Sequence, residues 1–279
     1  MKEIIIKLTR QLTVPVDASC ISPDLLVGKT NREIQTLELW EGNQKVQLCS
    51  MFDIDVNSDA PSNELKIRIH GDLKKVRRIG HGMTSGTIEA EGDVGMHLGE
   101  EMSGGQIVVH GNAGSWVGSR MKGGRISIHG NAGDFVGSAY RGSRLGMKGG
   151  IVAIEGNVGV EMGCWMKGGT IIVKGNSGTF PGIHMNDGTM LIEGDCEDRA
   201  GAQMTGGKIV ILGTTPSILP SFSFDELREK VKVEEQRIDG PFYSFVGDVT
   251  ETGKGRLFVK ASSNPQLKWC EAFIQKPEE

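Results

Sequence analysis

The sequence has no excess of positive charge and no long apolar run, and each absence excludes a class of protein. Its 279 residues carry a formal net charge of -4. Such a chain lacks the basic footprint of a nucleic-acid-binding protein. The N-terminal stretch MKEIIIKLTRQLTV mixes charges into its apolar residues, and no later run approaches the length of a membrane-spanning helix. We therefore expect a cytoplasmic protein with no nucleic-acid binding and no membrane insertion.

Cysteine is also scarce, and its spacing excludes the sites that it most often builds. The five cysteines stand singly, with no C-x-x-C pair for zinc or an iron–sulfur cluster. Their odd number argues against a closed disulfide framework. The stretch VGKT at residues 27–30 ends like a phosphate-binding loop, but position 23 is proline where that motif requires glycine. The residues thus predict no catalytic, cofactor-binding or metal-binding site in this chain.

Glycine, in contrast, is abundant and periodic. Of the 41 glycines, 35 lie between residues 64 and 213. One glycine follows each short apolar run, at spacings of 21, 19, 19, 26, 19, 19 and 19 residues. A fixed period of this length indicates a repeat architecture. We therefore divide the chain into an N-terminal strand-containing segment (1–63), glycine-rich repeats (64–213) and a C-terminal capping segment (214–279).

A typical repeat reads QIVVHGNAGSWVGSRMKGG, residues 106–124. It begins with a β-branched run, turns at Gly111 and Asn112, turns again at its glycine pair, and shows no helical periodicity. Asn or Asp follows the first corner glycine in most repeats, and both can bond a neighbouring backbone group. The pattern predicts an all-β protein, with one 19-residue coil of a β-helix per repeat and about seven coils.

Three apolar columns of the aligned repeats are expected to face inward. Two are mainly aliphatic and run through Ile107 and Val109. The third is entirely methionine, at Met83, Met102, Met121, Met147, Met166, Met185 and Met204. Stacked methionines can bind a soft metal such as Cu(I), but a residue repeated in every coil is more simply explained as an adaptable core filler.

The flanking segments lack the period and are expected to cap the ends of the repeat region. EIIIKL and TLELW in the N-terminal segment have the character of strands. Residues 224–232, FDELREKVK, predict a short helix after a proline-rich stretch. Capping is needed because the terminal coils would otherwise expose unpaired strand edges.

Outward positions include a polar column and two apolar ones. The polar column contains His70, His110 and His129, with glutamates at the same position of other repeats. Neighbours about 5 Å apart can hold a surface metal or relay a proton, but the same alternation marks any solvated strand face. The apolar columns include Ile172 and Leu191 in one, and Trp116, Phe135 and Phe180 in the other. Contiguous apolar surface marks a contact, so we predict that these residues meet either a partner protein or the folded-back C-terminal segment.

One repeat is lengthened by seven residues, AYRGSRL, from Ala139 to Leu145. Insertions in solenoids usually form loops on one face, often the binding face. Tyr140, Arg141 and Arg144 are residue types favoured at interfaces. The loop is predicted to anchor a partner or an anion, with a merely tolerated surface loop as the alternative.

The phrase G-N-A-G-x-x-V-G-x-x-M-x-G-G resembles the glycine-repeat domain at the C-terminus of the glutamate synthase large subunit. It resembles more closely the subunit designated C of formylmethanofuran dehydrogenase, the glycine-repeat subunit of that enzyme. The flanks favour the second: residues 21–55, from ISPDLL to SMFDID, and residues 218–259, from ILPSF to GRLFV, are similar to that subunit's own terminal segments. YRGSRLGMKGG, residues 140–150, also matches its lengthened coil. The likeness spans nearly the whole chain.

This resemblance implies a right-handed, single-stranded parallel β-helix that is a non-catalytic scaffold subunit of an oxidoreductase complex. The family's complex reduces CO2 and condenses the formate with methanofuran to formylmethanofuran, in methanogenesis. It also implies that a molybdenum or tungsten pterin, iron–sulfur clusters and a binuclear metal site belong to partner subunits: a pterin-binding catalytic subunit, an amidohydrolase-like subunit and iron–sulfur subunits. The alternatives are the corresponding subunit of a formyltransferase/hydrolase complex and a stand-alone module like that of glutamate synthase.

Overall fold

The chain is built mainly from β-strands. A computed structural model describes residues 2–57 and 65–274. The strands in these ranges are β1 (Lys2–Leu8), β2 (Val16–Asp17), β3 (Glu38–Glu41), β4 (Gln44–Gln47), β5 (Phe52–Asn57), β6 (Leu65–His70), β7 (Val76–Arg77), β8 (Thr87–Glu91), β9 (Gln106–Val109), β10 (Arg125–Ile128), β11 (Lys148–Ile154), β12 (Lys167–Val173), β13 (Asp187–Ile192), β14 (Lys208–Ile211), β15 (Ser223–Val233), β16 (Gln236–Gly247) and β17 (Gly255–Lys260). The predicted all-β class is confirmed, whereas the predicted domain boundary between residues 63 and 64 lies outside the described residues.

The helices are few and short. They are α1 (Pro23–Leu26), α2 (Asn31–Gln35) and 3₁₀ helices at Leu48–Ser50, Val249–Glu251, Ala261–Ser263 and Pro265–Phe273. In the described part of the chain, none of them combines the length and apolar character that crossing a bilayer requires.

Most strands belong to one large mixed sheet. Its order is β15-β16-β17-β14-β13-β12-β11-β10-β9-β8-β6-β1-β5. Neighbours run parallel through the glycine-rich region, whereas β5 against β1 and the strands β15, β16 and β17 pair antiparallel. Strands from both flanking segments extend the repeat ladder, because β1 pairs with β6 and β17 with β14. A smaller sheet, β4-β3-β2-β7, connects the N-terminal segment to the first repeat.

The 19-residue period sets the register of the parallel strands. Ile107 pairs with Ile88 on one side and Ile126 on the other, and Ile126 pairs across the lengthened repeat with Val152. The extra residues therefore leave the register of these strands intact. A second series of single parallel bridges joins one residue from each repeat, at Leu73, Val94, Ala113, Ala132, Val158, Ser177 and Cys196. Each of these repeats thus contributes to two parallel ladders.

The Asn and Asp side chains at the corners form a further ladder. Oδ1 of Asn112 accepts a hydrogen bond from the amide of Asn131 at 2.8 Å, and Oδ1 of Asn131 accepts one from the amide of Asn157 at 2.8 Å. The contact begins at Asp93, whose pKa is lowered first by the hydrogen bond from the backbone of Asn112. The same contact repeats through Asn157, Asn176 and Asp195, whose Oδ1 accepts from the amide of Thr214. The predicted role of these residues as acceptors for neighbouring backbone groups is confirmed.

The three inward columns form the core. All seven methionines of the third column are fully buried. Gly124, the second glycine of its pair, has φ of +85°, and a Cβ there would lie 2.7 Å from Cε of Met102 in the preceding repeat. A larger residue would strain the backbone and collide with the methionine. The glycine pairs and the methionine column therefore depend on each other.

The C-terminal segment covers the outer face of the last repeat strands. Strands β15 and β16 form a hairpin, and its Val231, Val233 and Phe242 pack with Leu191 and Val210. Leu191 is 2% exposed. Of the two covers predicted for Leu191, a partner protein or the folded-back C-terminal segment, the structure shows the second: the chain's own hairpin packs on this residue.

The helix predicted for residues 224–232 is wrong, because these residues lie within β15. Glu, Leu, Arg and Lys give the segment a local preference for helix. Pairing with β16 instead satisfies its backbone groups, and the strand alternation buries both Val231 and Val233. Packing against the repeat strands decides the conformation here.

Candidate functional site

The aromatic residues of the outward column lie at left-handed backbone positions. His97, Trp116, Phe135 and Phe180 have φ of +60° to +64°. Their amides donate to carbonyls of the following repeat, as the amide of Trp116 does to Asp134 at 2.9 Å. The left-handed conformation costs a non-glycine residue about 1 kcal/mol. These bonds between repeats hold the residues in it, and so place their side chains along one edge of the repeat region.

The rings at this edge stack on one another. His97 and Trp116 have ring centres 5.3 Å apart with 5° between planes, and Trp116 and Phe135 have centres 4.6 Å apart with 18° between planes. These three residues are the first ring ladder. Trp165 and His184, also left-handed, stack at 4.3 Å and 8° and form the second ring ladder. Such pairs add about 0.5–1.5 kcal/mol beyond their burial, which stabilises the stacked arrangement in both ladders.

The lengthened repeat places its extra residues beside both ladders. The ring centre of Tyr140 lies 5.9 Å from that of Trp116 and 6.0 Å from that of His97. The guanidinium carbon of Arg144 lies 5.2 Å from the ring centre of Trp165. A cavity of about 260 Å³ opens here, lined by Trp116, Phe135, Ala139, Tyr140, Arg141, Gly142, Ser143, Glu161, Cys164 and Trp165. The structure therefore brings together five of the predicted contact residues: Trp116, Phe135, Tyr140, Arg141 and Arg144.

The remaining predicted contact residues lie elsewhere. Phe180 continues the left-handed column farther along the repeats, with the guanidinium carbon of Arg199 5.2 Å from its ring centre. Ile172 is half-buried against the hairpin cluster that contains Leu191. The predicted residues thus divide between an edge with open rings and a face that the hairpin covers.

A buried carboxylate, that of Glu100, lies close to the first ring ladder. Arg120 donates to its Oε1 at 3.0 Å, and Nε of Arg78 lies 3.3 Å from its Oε2. Nδ1 of His97 is 3.6 Å from the same Oε2. Burial lowers the pKa of His97, and the carboxylate opposes this shift only in part. The two arginines compensate a charge that would be costly to bury alone.

Three residues near this edge were not predicted from the sequence: Trp165, His184 and Glu100. The signal for the rings was present, since Trp165 and His184 are 19 residues apart. Aligning the corner positions as well as the strands would have found them. The period gives no signal for Glu100, because buried Ser119 and Ser138 occupy the same position of the next two repeats.

The outward strand face, which includes the polar column, supplies the residues that could hold a metal ion. The ligand atoms of Glu89, Glu91 and His110 lie within 4.8 Å of one another, and Nδ1 of His110 is 3.3 Å from Nδ1 of His129. Lys66 already pairs with Glu89, and its hydrogen bond, followed by that from His110, lowers the pKa of Glu89 to about 2. A cation would have to compete with these contacts for an exposed site, so the ring ladders are the stronger candidate.

Known proteins share part of this sequence. No family model matches the chain. The subunit designated C of the molybdenum-containing formylmethanofuran dehydrogenase 1 of Methanosarcina barkeri is 40% identical over 98 residues, which are 35% of this chain and 33% of the relative. The subunit designated C of the tungsten-containing formylmethanofuran dehydrogenase 2 is 40% identical over 99 residues in Methanothermobacter thermautotrophicus, 36% of this chain and 37% of the relative. In Methanococcus maripaludis it is 43% identical over 98 residues, 35% of each chain. The matched segment thus spans about a third of each curated relative.

One solved structure is similar over nearly the whole chain. It is a chain of the crystal structure of the formyltransferase/hydrolase complex of Methylorubrum extorquens with methylofuran. The alignment covers 92% of this chain and 99% of that chain, with a TM-score of 0.81 and 28% identity. Together these relatives confirm the resemblance to the glycine-repeat subunit of formylmethanofuran dehydrogenase drawn from the sequence.

Proposed function

We propose that this chain is a non-catalytic scaffold of a formylmethanofuran dehydrogenase complex, in the place of the subunit designated C. The observation that carries the proposal is the agreement of two likenesses. Three relatives named as that subunit are 40% to 43% identical over about a third of their length, and a chain of a formyltransferase/hydrolase complex matches 92% of this one. The proposed complex reduces CO2 and condenses the formate with methanofuran, in methanogenesis from CO2.

The proposed scaffold is a right-handed, single-stranded parallel β-helix of about seven coils. Two parallel ladders with the same period support it, because the chain must return to each ladder once per repeat. The flanking segments are proposed to cap the coil, since β1 and β17 extend its two ends. A rigid rod of this kind can hold partner subunits at fixed separations.

The proposed partner surface is the edge that carries the two ring ladders and the lengthened loop. Its Trp116, Phe135, Tyr140, Arg141 and Arg144 are of the types that dominate protein–protein interfaces. Tyr140 on this edge is 51% exposed. Phe180 is proposed to extend the same surface, whereas Ile172 and Leu191 are assigned to the packing of the hairpin.

The metal centres of the complex are proposed to lie in its other subunits. These are a molybdenum or tungsten pterin, iron–sulfur clusters and a binuclear metal site. Burial raises the pKa of Cys20 and Cys164 to about 11 and that of Cys196 to about 12. A thiol whose pKa is raised in this way binds a metal ion less readily near neutral pH, because the ion must displace its proton.

The structural neighbour favours one second candidate, the glycine-repeat subunit of a formyltransferase/hydrolase complex. Such a complex would share the scaffold role but would need no pterin and no electron supply. The fold serves both candidates equally, so the partner subunits distinguish them.

Affinity purification of the tagged chain from its native source, followed by mass spectrometry and metal analysis, tests the proposal. We expect co-purification with a pterin-binding subunit and an amidohydrolase-like subunit, together with iron and either molybdenum or tungsten. Partners without these three metals would favour the formyltransferase/hydrolase complex. Recovery of the chain as a monomer without partners would contradict both candidates and favour a stand-alone module.

A further inference from the structure

Two neighbouring cavities share Tyr140 in their walls. The first is the cavity of about 260 Å³ between the ring ladders. The second, of about 450 Å³, is lined by Pro15, Asp17, Trp40, Gly42, Arg77, Arg78, His97 and Tyr140. Three distant parts of the chain build this second cavity: the N-terminal sheet, the first repeats and the lengthened loop. We call the two cavities together the Tyr140 groove.

Three exposed arginines at the Tyr140 groove form no ion pair within the described residues. Arg77 and Arg141 line the groove and Arg144 lies over Trp165 in its wall, and across residues 2–57 and 65–274 none of the three has a carboxylate within 4.0 Å. The nearby Arg78, in contrast, pairs with both Asp17 and Glu100. Arg120 likewise pairs with Glu100 and Glu101. The chain's own acids therefore pair with the half-buried arginines, whereas the exposed arginines of the groove form no ion pair in the described part of the chain.

The walls of the groove combine exposed rings with stacked ones. Trp40 is 46% exposed and Tyr140 51% exposed, so each offers a ring face to a bound molecule. The ladder His97, Trp116 and Phe135 is fixed by stacking, so ordering it on binding costs little conformational entropy. The indole N–H of Trp116 is buried with no acceptor among the described residues.

We propose that the Tyr140 groove binds an extended segment of a partner subunit that bears carboxylate side chains. The inference rests on the proposed function, because it assumes a partner subunit. Arg side chains bind carboxylates in a bidentate manner and are frequent interface anchors beside Trp and Tyr. A carboxylate suits the groove better than a phosphate dianion, because Asp17 and Glu161 line it and repel the greater charge more strongly. The segment's carboxylates meet Arg77 at one end and Arg141 or Arg144 at the other.

Photo-crosslinking in the assembled complex tests this assignment directly. Tyr140 is replaced by p-benzoylphenylalanine, the complex is purified and irradiated, and the crosslinked peptides are mapped by mass spectrometry. We expect a crosslink to a partner segment that contains Asp or Glu within a few residues of the attached position. A crosslink only within this chain, or to a partner segment without acidic residues, would overturn the inference and leave the scaffold proposal intact.

Charge reversal supplies an independent readout. Arg77→Glu and Arg141→Glu should each weaken assembly at least tenfold, and added salt should weaken the wild-type complex and reduce the difference. The matched control is Arg237→Glu on the hairpin, an exposed arginine outside the groove that should assemble like the wild type. Equal assembly of all variants would overturn the inference. A wild-type chain that fails to recruit any partner would overturn the proposed function and, with it, this inference.

Discussion

The outer face of β12 to β14 and the edge with the ring ladders both carry apolar side chains that point away from the repeat core. The chain covers the first of these surfaces and leaves the second open. On the strand face, the hairpin of β15 and β16 covers Leu191 and Val210, which are 2% and 0% exposed. At the ring edge, Tyr140 remains 51% exposed and the cavity beside it is open. An apolar outward column therefore predicts that another protein segment packs on it. Whether that segment belongs to the same chain depends on the sequence outside the repeats.

The two regions also differ in what fixes their geometry. On the strand face, regular strand pairing fixes the backbone. The apolar side chains there gain stability only when another segment buries them. Left-handed corners bonded to the next repeat fix the ring edge, and these corners hold rings in parallel with little help from a covering segment. The ring edge can therefore remain ordered while it is open to a partner.

The largest expected effect is at the covered face. Leu191→Asp places a charge under the hairpin with no partner, so we expect a loss of unfolding free energy of about 3 kcal/mol or more, measured by denaturant titration. The control is Ser127→Asp, at the same outward position of an earlier repeat and half-buried, where the cost should be well below about 1 kcal/mol. Equal costs at both sites would show that the hairpin does not cover Leu191.

A smaller effect is expected in the ladder of corner Asn and Asp side chains, which stabilises the strand face and the ring edge alike. Asn157→Ala removes the acceptor for the amide of Asn176, and the exposed site should cost about 0.5–1.5 kcal/mol in unfolding free energy. Asn157→Asp keeps an acceptor, as Asp93 and Asp195 do in their repeats, and should retain most of the stability. An alanine variant as stable as wild type would show that the corner ladder does not contribute to stability. Neither variant should affect assembly selectively.

The ring edge is tested by deleting residues 139–145. Because the strands on both sides keep their register, unfolding free energy should change by less than about 1 kcal/mol, while co-purification with partners should fall sharply. A loop of unchanged length with Tyr140, Arg141 and Arg144 replaced by Ser separates the role of the side chains from that of loop length. Unaltered co-purification of both variants would show that the loop is a tolerated surface loop with no role in partner binding.

The smallest effect belongs to the polar strand face. The contacts of Glu89 with Lys66 and His110 lower its pKa from 4.5 to about 2, so they stabilise the fold above about pH 4.5. That stability is lost as pH falls through about 2. Glu89→Gln should therefore differ from wild type at neutral pH, with the difference shrinking as the medium is acidified. Glu235→Gln, at a glutamate whose side chain is 96% exposed, should show no such trend in thermal melting.

Much of the fold could be predicted because it follows from a repeat. The period located the strands, the core methionines and the corner Asn ladder, since each of these depends only on neighbouring repeats. The hairpin could not be predicted in this way, because local preference in residues 224–232 favours helix and only contact with distant Leu191 and Val210 stabilises the strand. The groove at Tyr140 was missed for the same reason: Trp40, Arg77 and the loop meet there from three separate parts of the sequence.

Hydrogen–deuterium exchange of the chain, free and within its purified complex, tests most directly the claim that the ring edge is the partner surface. We expect slower exchange in the complex at residues 135–147, with little change at residues 223–247 of the hairpin. Protection confined to the hairpin, with unchanged exchange around Tyr140, would contradict it.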